Sequence, residues 1–518
     1  MHEPPYILAI DLGTSGPKVA LVSVDGSVIG SEFESVDLLL SPGGGAEQEP
    51  TAWWKATGKA TRRALGGDPV PPGKIAAVSV TSQWSGTVAI GADGAAIGNA
   101  IIWMDSRGAP YVEELIGGPV RVQGYDPRKL RKWIKLTGGA PGGAGKDPIG
   151  HILYLRHDKP EIHAAATTFL EPKDYLNFRL TGRIAASFDS IALHWVTDNR
   201  DPRAVAYNDD LLRYVGIDRS RLPRLHPATD LLGELTAAAA IHLGLPAGVP
   251  VVVGTPDVHS AAIGAGTTSD YAAHLYIGTS SWITCHVPFK RTDLAHSIAS
   301  LPAAVPERYV VANEQQTAGK ALEWLAEVLY PDTDDREDVY ADMNHVAAAV
   351  APGSGGVIFT PWLFGERTPV EDATLRAGFF NQSLETGRAE MIRAVFEGVA
   401  YNSRWLLGYV EKFTKQRLAP IVMVGGGARS NLWCQIHADV LGRTIHQAED
   451  PVLVNVRGAG LLAHAALDHI SWAEIPDLVP MAATYEPNPE NSATYDRLYD
   501  AFRRIHKANR RTYRKLNH

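Results

Sequence analysis

The sequence predicts an α/β protein made of two domains of similar plan that face each other across a cleft. Apolar stretches of strand length alternate with amphipathic helical stretches along most of the chain. A strand, a Gly-Thr-Ser turn and a second strand occur in the first half as AIDLGTSG and again in the second half as LYIGTSSW. The length of 518 residues is also more than one ordinary domain holds. These features together indicate a repeated α/β unit.

The first half begins with a strand, a tight turn and a second strand, after which Asp25-Gly26 indicates a hairpin. Pro50 suits the first turn of a helix that carries Trp53 and Trp54. In order, we expect strands at 7–10 and 19–24, a loop at 41–50, a helix from 50, a strand from 74 into a polar turn, and helices at 151–163 and 171–182.

The second half repeats the pattern. In order, we expect a strand, turn and strand at 272–287, a helix at 319–330, a strand ending in a Gly/Pro loop at 355–369 and a long helix at 389–413. A strand, glycine turn and helix at 419–442 and a small-residue helix at 454–467 follow. The helix at 319–330 is amphipathic, with Leu322, Leu325, Val328 and Leu329 on one face. We predict domains at 1–258 and 259–485 and a C-terminal helix at 486–518.

Composition excludes several classes of protein. The net charge of −8 argues against nucleic acid as the main partner. No run of 18 apolar residues is present, so we expect no membrane partner. Cys285 and Cys434 are the only cysteines and lie far apart, which predicts a reducing compartment. We therefore expect a cytoplasmic protein.

The two Gly-Thr-Ser turns are candidate phosphate-binding sites. Glycines allow close approach of backbone N–H groups to phosphate, and the hydroxyls of Thr14 and Ser15 are donors. One such turn taken alone favours an ordinary hairpin, but a second copy at Gly278 indicates that two turns close on one polyphosphate. Asp11 would then hold Mg²⁺, through water, and Lys18 would be a point charge near the phosphates.

Two further motifs have both a functional and a structural interpretation. Residues 425–431, GGGARSN, lie between a predicted strand and helix, where a flat ligand can pack against backbone; a purely structural turn is the alternative. Trp103, Asp105 and Arg107 alternate, so on a strand they would share one face and line a polyol pocket. A surface strand with an ion pair is the alternative for the second motif.

Asp257 follows the apolar stretch VPVVV and precedes a Gly/Ala-rich segment. A hydroxyl group that attacks a phosphoryl group needs a nearby proton acceptor, and a carboxylate at a strand end beside a cleft meets that need. The alternative is a helix N-cap, which is compatible with that role. For Glu366 and Arg367, in the loop FGERTP, we favour a structural role.

The ordered set of motifs resembles the FGGY carbohydrate kinases of the actin-like ATPase superfamily, and within them the xylulokinase-like branch. The motifs span residues 6 to about 465: AIDLGTSGPKVAL, AEQEPTAWW, VTSQWSG, IWMDSRG, PKDYLNFRLTG, GLPAGVPVVVGTPDVHSAAIGAG, LYIGTSSW, AGKALEWL, TPWLFGERTP, VFEGVAYNSRWLL and VGGGARSNLWCQIHADVLG. The resemblance implies two actin-like (ribonuclease H-like) domains, a catalytic cleft between them, and transfer of phosphate from ATP with Mg²⁺ to a small sugar, with a ketopentose as the first candidate.

The resemblance also implies site residues. The base would be Asp257. The remaining assignments are phosphate contacts from Thr14, Ser15, Gly16, Lys18, Gly278 and Thr279, a magnesium contact from Asp11, adenosine contacts from Gly426, Gly427, Ala428 and Asn431 with Gly319 nearby, and acceptor contacts from Gln83, Trp84, Ser85, Trp103, Asp105 and Arg107.

Three positions depart from the xylulokinase pattern. Trp84-Ser85 stands where Met-His is usual, Val258 where Asn follows the catalytic Asp, and Gly150-His151 where Pro-Lys is usual. These changes affect the acceptor side and leave the phosphate side unchanged. Glycerol, erythritol, ribulose and hexuloses remain alternative acceptors, and a non-catalytic sugar sensor or an actin-like ATPase remain alternative functions. A homodimer is also an open alternative.

Overall fold

The computed structural model describes residues 5–66, 70–333 and 335–517. Its strands are β1 (Tyr6–Gly13), β2 (Gly16–Ser23), β3 (Val28–Phe33), β4 (Leu39–Ser41), β5 (Gly45–Gln48), β6 (Ile75–Ser82), β7 (Val88–Ile90), β8 (Ala100–Ile101), β9 (Thr168–Leu170), β10 (Ala185–Ser187), β11 (Thr197–Asp198), β12 (Ala206–Tyr207), β13 (Arg224–His226), β14 (Leu231–Glu234), β15 (Pro250–Val252), β16 (Ala273–Ile277), β17 (Ser281–Val287), β18 (Thr292–Asp293), β19 (Ile298–Pro302), β20 (Tyr309–Ala312), β21 (Ile358–Thr360), β22 (Gly378–Phe380), β23 (Ile421–Val424), β24 (Ile445–Ala448) and β25 (Met481–Tyr485).

The helices alternate with these strands. They are α1 (Pro50–Gly66), α2 (Ala109–Ile116), α3 (Pro127–Thr137), α4 (Pro148–Asp158), α5 (Pro160–Ala165), α6 (Pro172–Thr181), α7 (Asp209–Val215), α8 (Ala237–Leu243), α9 (Asp257–Gly264), α10 (Gly319–Leu329), α11 (Arg336–Ala348), α12 (Arg388–Thr414), α13 (Asn431–Leu441), α14 (Val454–Ala466), α15 (Ile475–Leu478) and α16 (Pro489–Leu516).

The two halves contain the same sheet plan. In the first, the strand order is β14-β15-β6-β1-β2-β3; β1 pairs antiparallel with β2 and parallel with β6. In the second, the order is β18-β19-β20-β17-β16-β23-β24-β25; β16 pairs antiparallel with β17 and parallel with β23. The prediction of two α/β domains of similar plan is therefore confirmed.

Helices α9 and α14 join the halves. Helix α14 contacts β1, β2 and β6 of the first sheet and crosses α9. A buried cluster containing Ile7, Val252, Ile263 and Leu461 lies between these elements. The predicted boundary at 258/259 falls inside α9, whose first residue is Asp257. The catalytic candidate therefore belongs to the helix that links the two sheets.

Two glycines allow α9 and α14 to approach closely. A Cβ on Gly458 would lie 1.8 Å from the carbonyl oxygen of Ser260, and one on Gly264 would lie 1.9 Å from that of Val454. These contacts are to backbone atoms, which cannot rotate away. Only glycine fits at this crossing without moving one helix.

We expect Gly458→Ala to lower the free energy of unfolding by about 1–3 kcal/mol, because the added methyl group separates the two helices. Chemical denaturation followed by circular dichroism measures the effect. Gly408→Ala, in α12 with no neighbouring atom within 4 Å of its Cβ position, is the control and should be neutral or stabilising. Equal stability of the Gly458 variant and the wild type would contradict the tight crossing.

Most predicted elements are present, with four differences. Residues 41–50 are not a loop, because β4 and β5 pair as a hairpin there. The helix expected at 151–163 is two helices, since α4 ends before Pro160 and α5 begins there. In α10 the side chain of Val328 is 55% exposed, so it does not belong to the buried face. Strand β8 ends at Ile101, so residues 103–107 do not form a strand.

The C-terminal helix α16 packs against the second domain. Tyr495 and Leu498 are buried, as is Phe502, which contacts Trp362 and Trp405. The basic residues of its second half lie on the exposed side. Over the described ranges, no helix combines the length and apolar character needed to cross a membrane.

Candidate active site

The predicted site residues gather where parallel strands end. Strands β1, β6 and β15 run in the same direction, so Thr14, Gln83 and Asp257 follow them at one edge of the first sheet. Strands β16 and β23 are also parallel, so Gly278 and Gly425 follow them at one edge of the second sheet. Ligands of open α/β sheets bind at such carboxyl ends. The topology thus explains why distant motifs meet.

Asp257 is the first residue of α9, and its side chain is partly buried. Its Oδ1 accepts the N–H of Val258 at 2.8 Å. The N-cap position is Pro256, so the predicted alternative of Asp257 as N-cap is wrong. Burial raises the pKa of Asp257 to about 8, and the charges of Asp11 and Glu314 act in the same direction. Because Glu314 belongs to the second domain, charges from both domains act on the pKa of Asp257.

Asp11, in β1, is 8% exposed and has a free acceptor atom. Its Oδ2 accepts the Asn455 amide at 3.3 Å, whereas its Oδ1 is buried with no hydrogen-bond partner in the described part of the chain. Burial raises the pKa of Asp11, while Lys18 and Asn455 oppose the rise. Mg²⁺ in kinases is commonly held by one or two carboxylates together with phosphates and water, and the unpartnered Oδ1 fits such an ion.

Thr14 connects the first Gly-Thr-Ser turn to the predicted acceptor residues. Its Oγ1 donates to Gln83 Oε1 at 3.2 Å and accepts from Trp103 Nε1 at 3.0 Å. Gln48 Nε2 donates to the Thr14 carbonyl at 2.8 Å, and Gln83 Nε2 donates to Gln48 Oε1 at 2.9 Å. Gln83 Oε1 and Trp103 Nε1 are therefore engaged by Thr14, and the Gln83 amide nitrogen is engaged by Gln48.

In the rest of the first turn, Ser15 is exposed to solvent, whereas Gly16 is packed closely against neighbouring backbone. Ser15 is exposed, and its carbonyl accepts the N–H of Val36 at 3.0 Å. Gly16 has φ +138°, and a Cβ there would lie 2.0 Å from the carbonyl oxygen of Glu34. Lys18, on β2 opposite Asp11, donates from Nζ to the Val452 carbonyl at 2.7 Å. Lys18 therefore also connects the first sheet to the segment that precedes α14.

The second turn is held by the start of α10. Gly319 N–H donates to the Gly278 carbonyl at 2.7 Å, and Ala318 N–H donates to the Thr279 carbonyl at 2.9 Å. A Cβ on Gly319 would lie 2.5 Å from the Gly278 oxygen. The structure thus brings Gly278, Thr279 and Gly319 together, and Thr279 is exposed.

The glycine segment after β23 lies beside this turn. A Cβ on Gly427 would lie 2.3 Å from the side chain of Ile277, the residue before Gly278. Gly426 and Asn431 are exposed, while Ala428 is buried and its carbonyl accepts from Gln447 Nε2 at 2.6 Å. The predicted adenosine residues and the second phosphate turn therefore form one continuous surface.

Trp84 and Ser85 lie on the opposite side of the cleft. Trp84 Nε1 donates to the Ser190 carbonyl at 2.9 Å, and its ring packs edge-on against His259, with centroids 5.2 Å apart. Ser85 has φ +68°, and its Oγ donates to the Lys146 carbonyl at 2.9 Å. Because His259 is two residues from Asp257, Trp84 and Ser85 border the catalytic candidate.

Asp105 and Arg107 pair with each other instead of sharing a strand face. The prediction of a strand here is wrong because the chain turns after Ile102, where Asp105 N–H donates to the Ile102 carbonyl at 2.9 Å. Asp105 is 1% exposed and accepts the N–H of Ala46 at 2.9 Å. Arg107 Nη2 lies 2.6 Å from Asp105 and 2.5 Å from Glu47. Both charges therefore hold the β4–β5 hairpin in place.

Sequence reasoning missed several polar residues of the cleft. They are Gln48, Lys146, Glu314, Arg367 and Asn455. Gln48 lies in the quoted motif AEQEPTAWW, and Arg367 lies in FGERTP, where we favoured a structural role. That role holds for Glu366, which accepts from the N–H groups of Gln316 and Arg367 and from Asn402. The Arg367 side chain points elsewhere and pairs with Glu314.

Known proteins match this chain over nearly its whole length. Residues 6–264 match the N-terminal domain and residues 273–467 the C-terminal domain of the FGGY family of carbohydrate kinases. A xylulose kinase of Staphylococcus epidermidis is 28% identical over 514 residues, which are 97% of this chain and 96% of that protein.

Solved structures have the same fold. A ligand-bound xylulose kinase from Lactobacillus acidophilus superposes with a TM-score of 0.86 at 24% identity, covering 99% of this chain and 100% of that one. A gluconate kinase from the same species gives 0.85 at 25% identity, covering 99% and 100%. The predicted pair of actin-like α/β domains is confirmed.

Proposed function

The chain belongs to the FGGY family of carbohydrate kinases, and from that premise we propose that it transfers the γ-phosphoryl group of ATP to a hydroxyl group of a small sugar held between the domains. Membership of a kinase family implies ATP as the phosphoryl donor. We also propose that residues 1–258 and 259–485 act as the two domains that close on the substrates.

The observation that carries the proposal is the position of Asp257. Its carboxylate lies at the carboxyl edge of the first sheet, at the start of the helix that links the domains. Burial raises its pKa, and the negative charges of Asp11 and Glu314 raise it further. In the proposed reaction the carboxylate accepts the hydroxyl proton as the sugar oxygen attacks phosphorus. Its pKa of about 8 makes it a stronger base than an ordinary Asp once ionised.

The phosphate-binding role of the two turns is supported by their equivalent positions in the two sheets and by the exposure of Ser15 and Thr279. Thr14 and Ser15 on one side, and Gly278 and Thr279 on the other, follow the ends of equivalent strands of the two sheets. Bound Mg²⁺ supplies charge neutralisation at the phosphates. Asp11 would hold that ion, because its Oδ1 is buried and unpartnered in the described chain. Gly426, Gly427, Ala428 and Asn431 would pack against adenosine.

The acceptor would lie between Trp84, Ser85 and Asp257. A ketopentose is the first candidate because the Staphylococcus relative is named a xylulose kinase. The gluconate kinase structure adds a sugar acid as a second candidate. At Val258 the side chain cannot hydrogen-bond a sugar hydroxyl, and Trp84 uses its N–H on Ser190. These two residues favour an acceptor whose recognition depends on other polar groups.

The test is a coupled ADP-release assay over ketopentoses, hexuloses, alditols, glycerol and sugar acids. We expect at least one acceptor to raise ADP release well above the acceptor-free rate, and the phosphorylated product to be detected by mass spectrometry. ADP release that no acceptor changes would contradict the proposal and favour an actin-like ATPase. Binding of a sugar without turnover would favour a sensor.

A further inference from the structure

Asn455 reaches the Asp11 carboxylate of the first sheet from the second half of the chain. It is the second residue of α14, and its Nδ2 donates to Asp11 Oδ2 at 3.3 Å. The N-cap of α14 is Leu453, which makes no side-chain cap hydrogen bond. Asn side chains near helix starts commonly bond local backbone, whereas this amide bonds a carboxylate 444 positions away. A contact of that range indicates a role outside the helix itself.

The orientation of the Asp11 carboxylate depends on this hydrogen bond. Lys18 lies opposite Asp11 in the β1–β2 register, but its Nζ donates to the Val452 carbonyl at 2.7 Å. Within the described residues, the Asn455 amide is the only group that hydrogen-bonds the carboxylate, which is buried. Because Asn455 holds Oδ2, the direction of the second oxygen, Oδ1, is also set by Asn455.

The backbone of Asn455 is itself held in place. Its carbonyl accepts from Ser260 Oγ at 2.8 Å, and Ser260 is a buried residue of α9, three positions after Asp257. Earlier in the same segment, the Pro451 carbonyl accepts the N–H of Gly425, the first glycine after β23, at 2.9 Å. A side chain mounted on a fixed backbone can hold its partner in one geometry. Asn455 is therefore positioned by the helix that carries the candidate base and by the predicted adenosine segment.

One acceptor atom of each residue in the pair is open. Asn455 Oδ1 and Asp11 Oδ1 are both buried and have no hydrogen-bond partner in the part of the chain that the structure describes. Turning the amide over would place Asn455 Oδ1 against Asp11 Oδ2, two acceptors, so the observed orientation is the favourable one. Buried acceptors in proteins are satisfied by donors, which include ordered water and ions. Mg²⁺ retains several water molecules, and their hydrogens are donors that suit both atoms.

We propose that Asn455 is a positioning residue for magnesium, whose amide orients the Asp11 carboxylate so that its Oδ1 can hold the hydrated ion. The inference rests on the proposed kinase function and adds a residue to its phosphate side. Through Ser260, the same residue ties the magnesium carboxylate to the helix that begins with Asp257. Groups that orient a metal ligand typically contribute about 10- to 100-fold to metal affinity or activity.

Calorimetric binding of ADP to the full chain, with Mg²⁺ and separately with EDTA, tests this without turnover. We expect the wild type to bind ADP more tightly with Mg²⁺, because Asp11 would hold the metal bound to the phosphates. Asn455→Ala should lower the affinity measured with Mg²⁺ by about 10-fold and leave that measured with EDTA unchanged. Asn455→Leu should do the same, and because leucine is close to asparagine in size, a shared loss would not be due to a cavity.

Two further variants separate positioning from general damage. Asn509→Ala is the matched control, since Asn509 is also a partly buried helical residue, whose Nδ2 donates to the Ile505 carbonyl at 3.0 Å, and it should keep the wild-type magnesium effect. Asp11→Asn should lose that effect by itself. If Asn455 acts through Asp11, adding Asn455→Ala to Asp11→Asn should change the affinity with Mg²⁺ by less than about 2-fold.

Four results would overturn the positioning role: no magnesium effect in the wild type, a wild-type effect in both Asn455 variants, equal losses with Mg²⁺ and with EDTA, or additive losses in the double variant. The kinase function fails separately. If the magnesium effect depends on Asn455 but no acceptor is phosphorylated, the kinase function fails and the positioning role stands. If an acceptor is phosphorylated while the Asn455 variants bind ADP as the wild type does, the reverse holds.

Discussion

Asp257→Asn is expected to lower kcat for sugar phosphorylation by about 10³-fold, the contribution of a positioned general base. The amide cannot accept the hydroxyl proton, although it is nearly the same size. Coupled ADP release with the best acceptor measures the loss. The melting temperature should not fall, because the folded-state pKa of Asp257 is above the ordinary value and its ionised form destabilises the fold.

Asp209→Asn is the matched control, since Asp209 is exposed at the start of α7 and is not one of the residues assigned to the site. It should retain wild-type kcat. The wild-type kcat/KM should rise with pH and level off above about 8, the pKa of Asp257, because the protonated carboxyl cannot act as base. Near wild-type turnover of Asp257→Asn, or a kcat/KM independent of pH below 8, would contradict the assignment.

Asp11→Asn is expected to lower kcat/KM by about 10²-fold or more, because the carboxylate that would hold Mg²⁺ at the phosphates is removed. The concentration of Mg²⁺ needed for half-maximal rate should rise. Stability should be maintained or increased, since burial raises the pKa of Asp11 and its carboxylate costs folding free energy at neutral pH.

Magnesium titration of turnover, with Asp209→Asn again as control, separates this effect from general damage. An unchanged magnesium requirement would contradict the metal assignment even if activity fell. Loss of activity together with a lower melting temperature would instead indicate that the Asn455 hydrogen bond to Asp11 stabilises the fold.

Much of the fold was predictable because its signals are local. Periodic apolar residues and glycine turns placed β1, β6, β16 and α12 within a few residues of their observed bounds. The β4–β5 hairpin was missed because SPGGGAEQ is polar and glycine-rich, and its pairing depends on β8, which is about 50 residues away. The strand predicted at Trp103 failed for a related reason: alternation alone cannot detect a turn stabilised by a distant hairpin.

The sequence by itself determined the duplicated α/β plan, the two Gly-Thr-Ser turns and the presence of a carboxylate, Asp257, where a strand gives way to a helix. These features depend on the strand, turn and helix propensities of residues that are close together in the sequence. Only the tertiary structure decided that Gln83 and Trp103 hold Thr14, that Asp105 binds the Ala46 backbone, and that Lys18 binds the Val452 carbonyl. These hydrogen bonds join residues 59 to 434 positions apart, so they arise from how the chain packs and not from any local pattern.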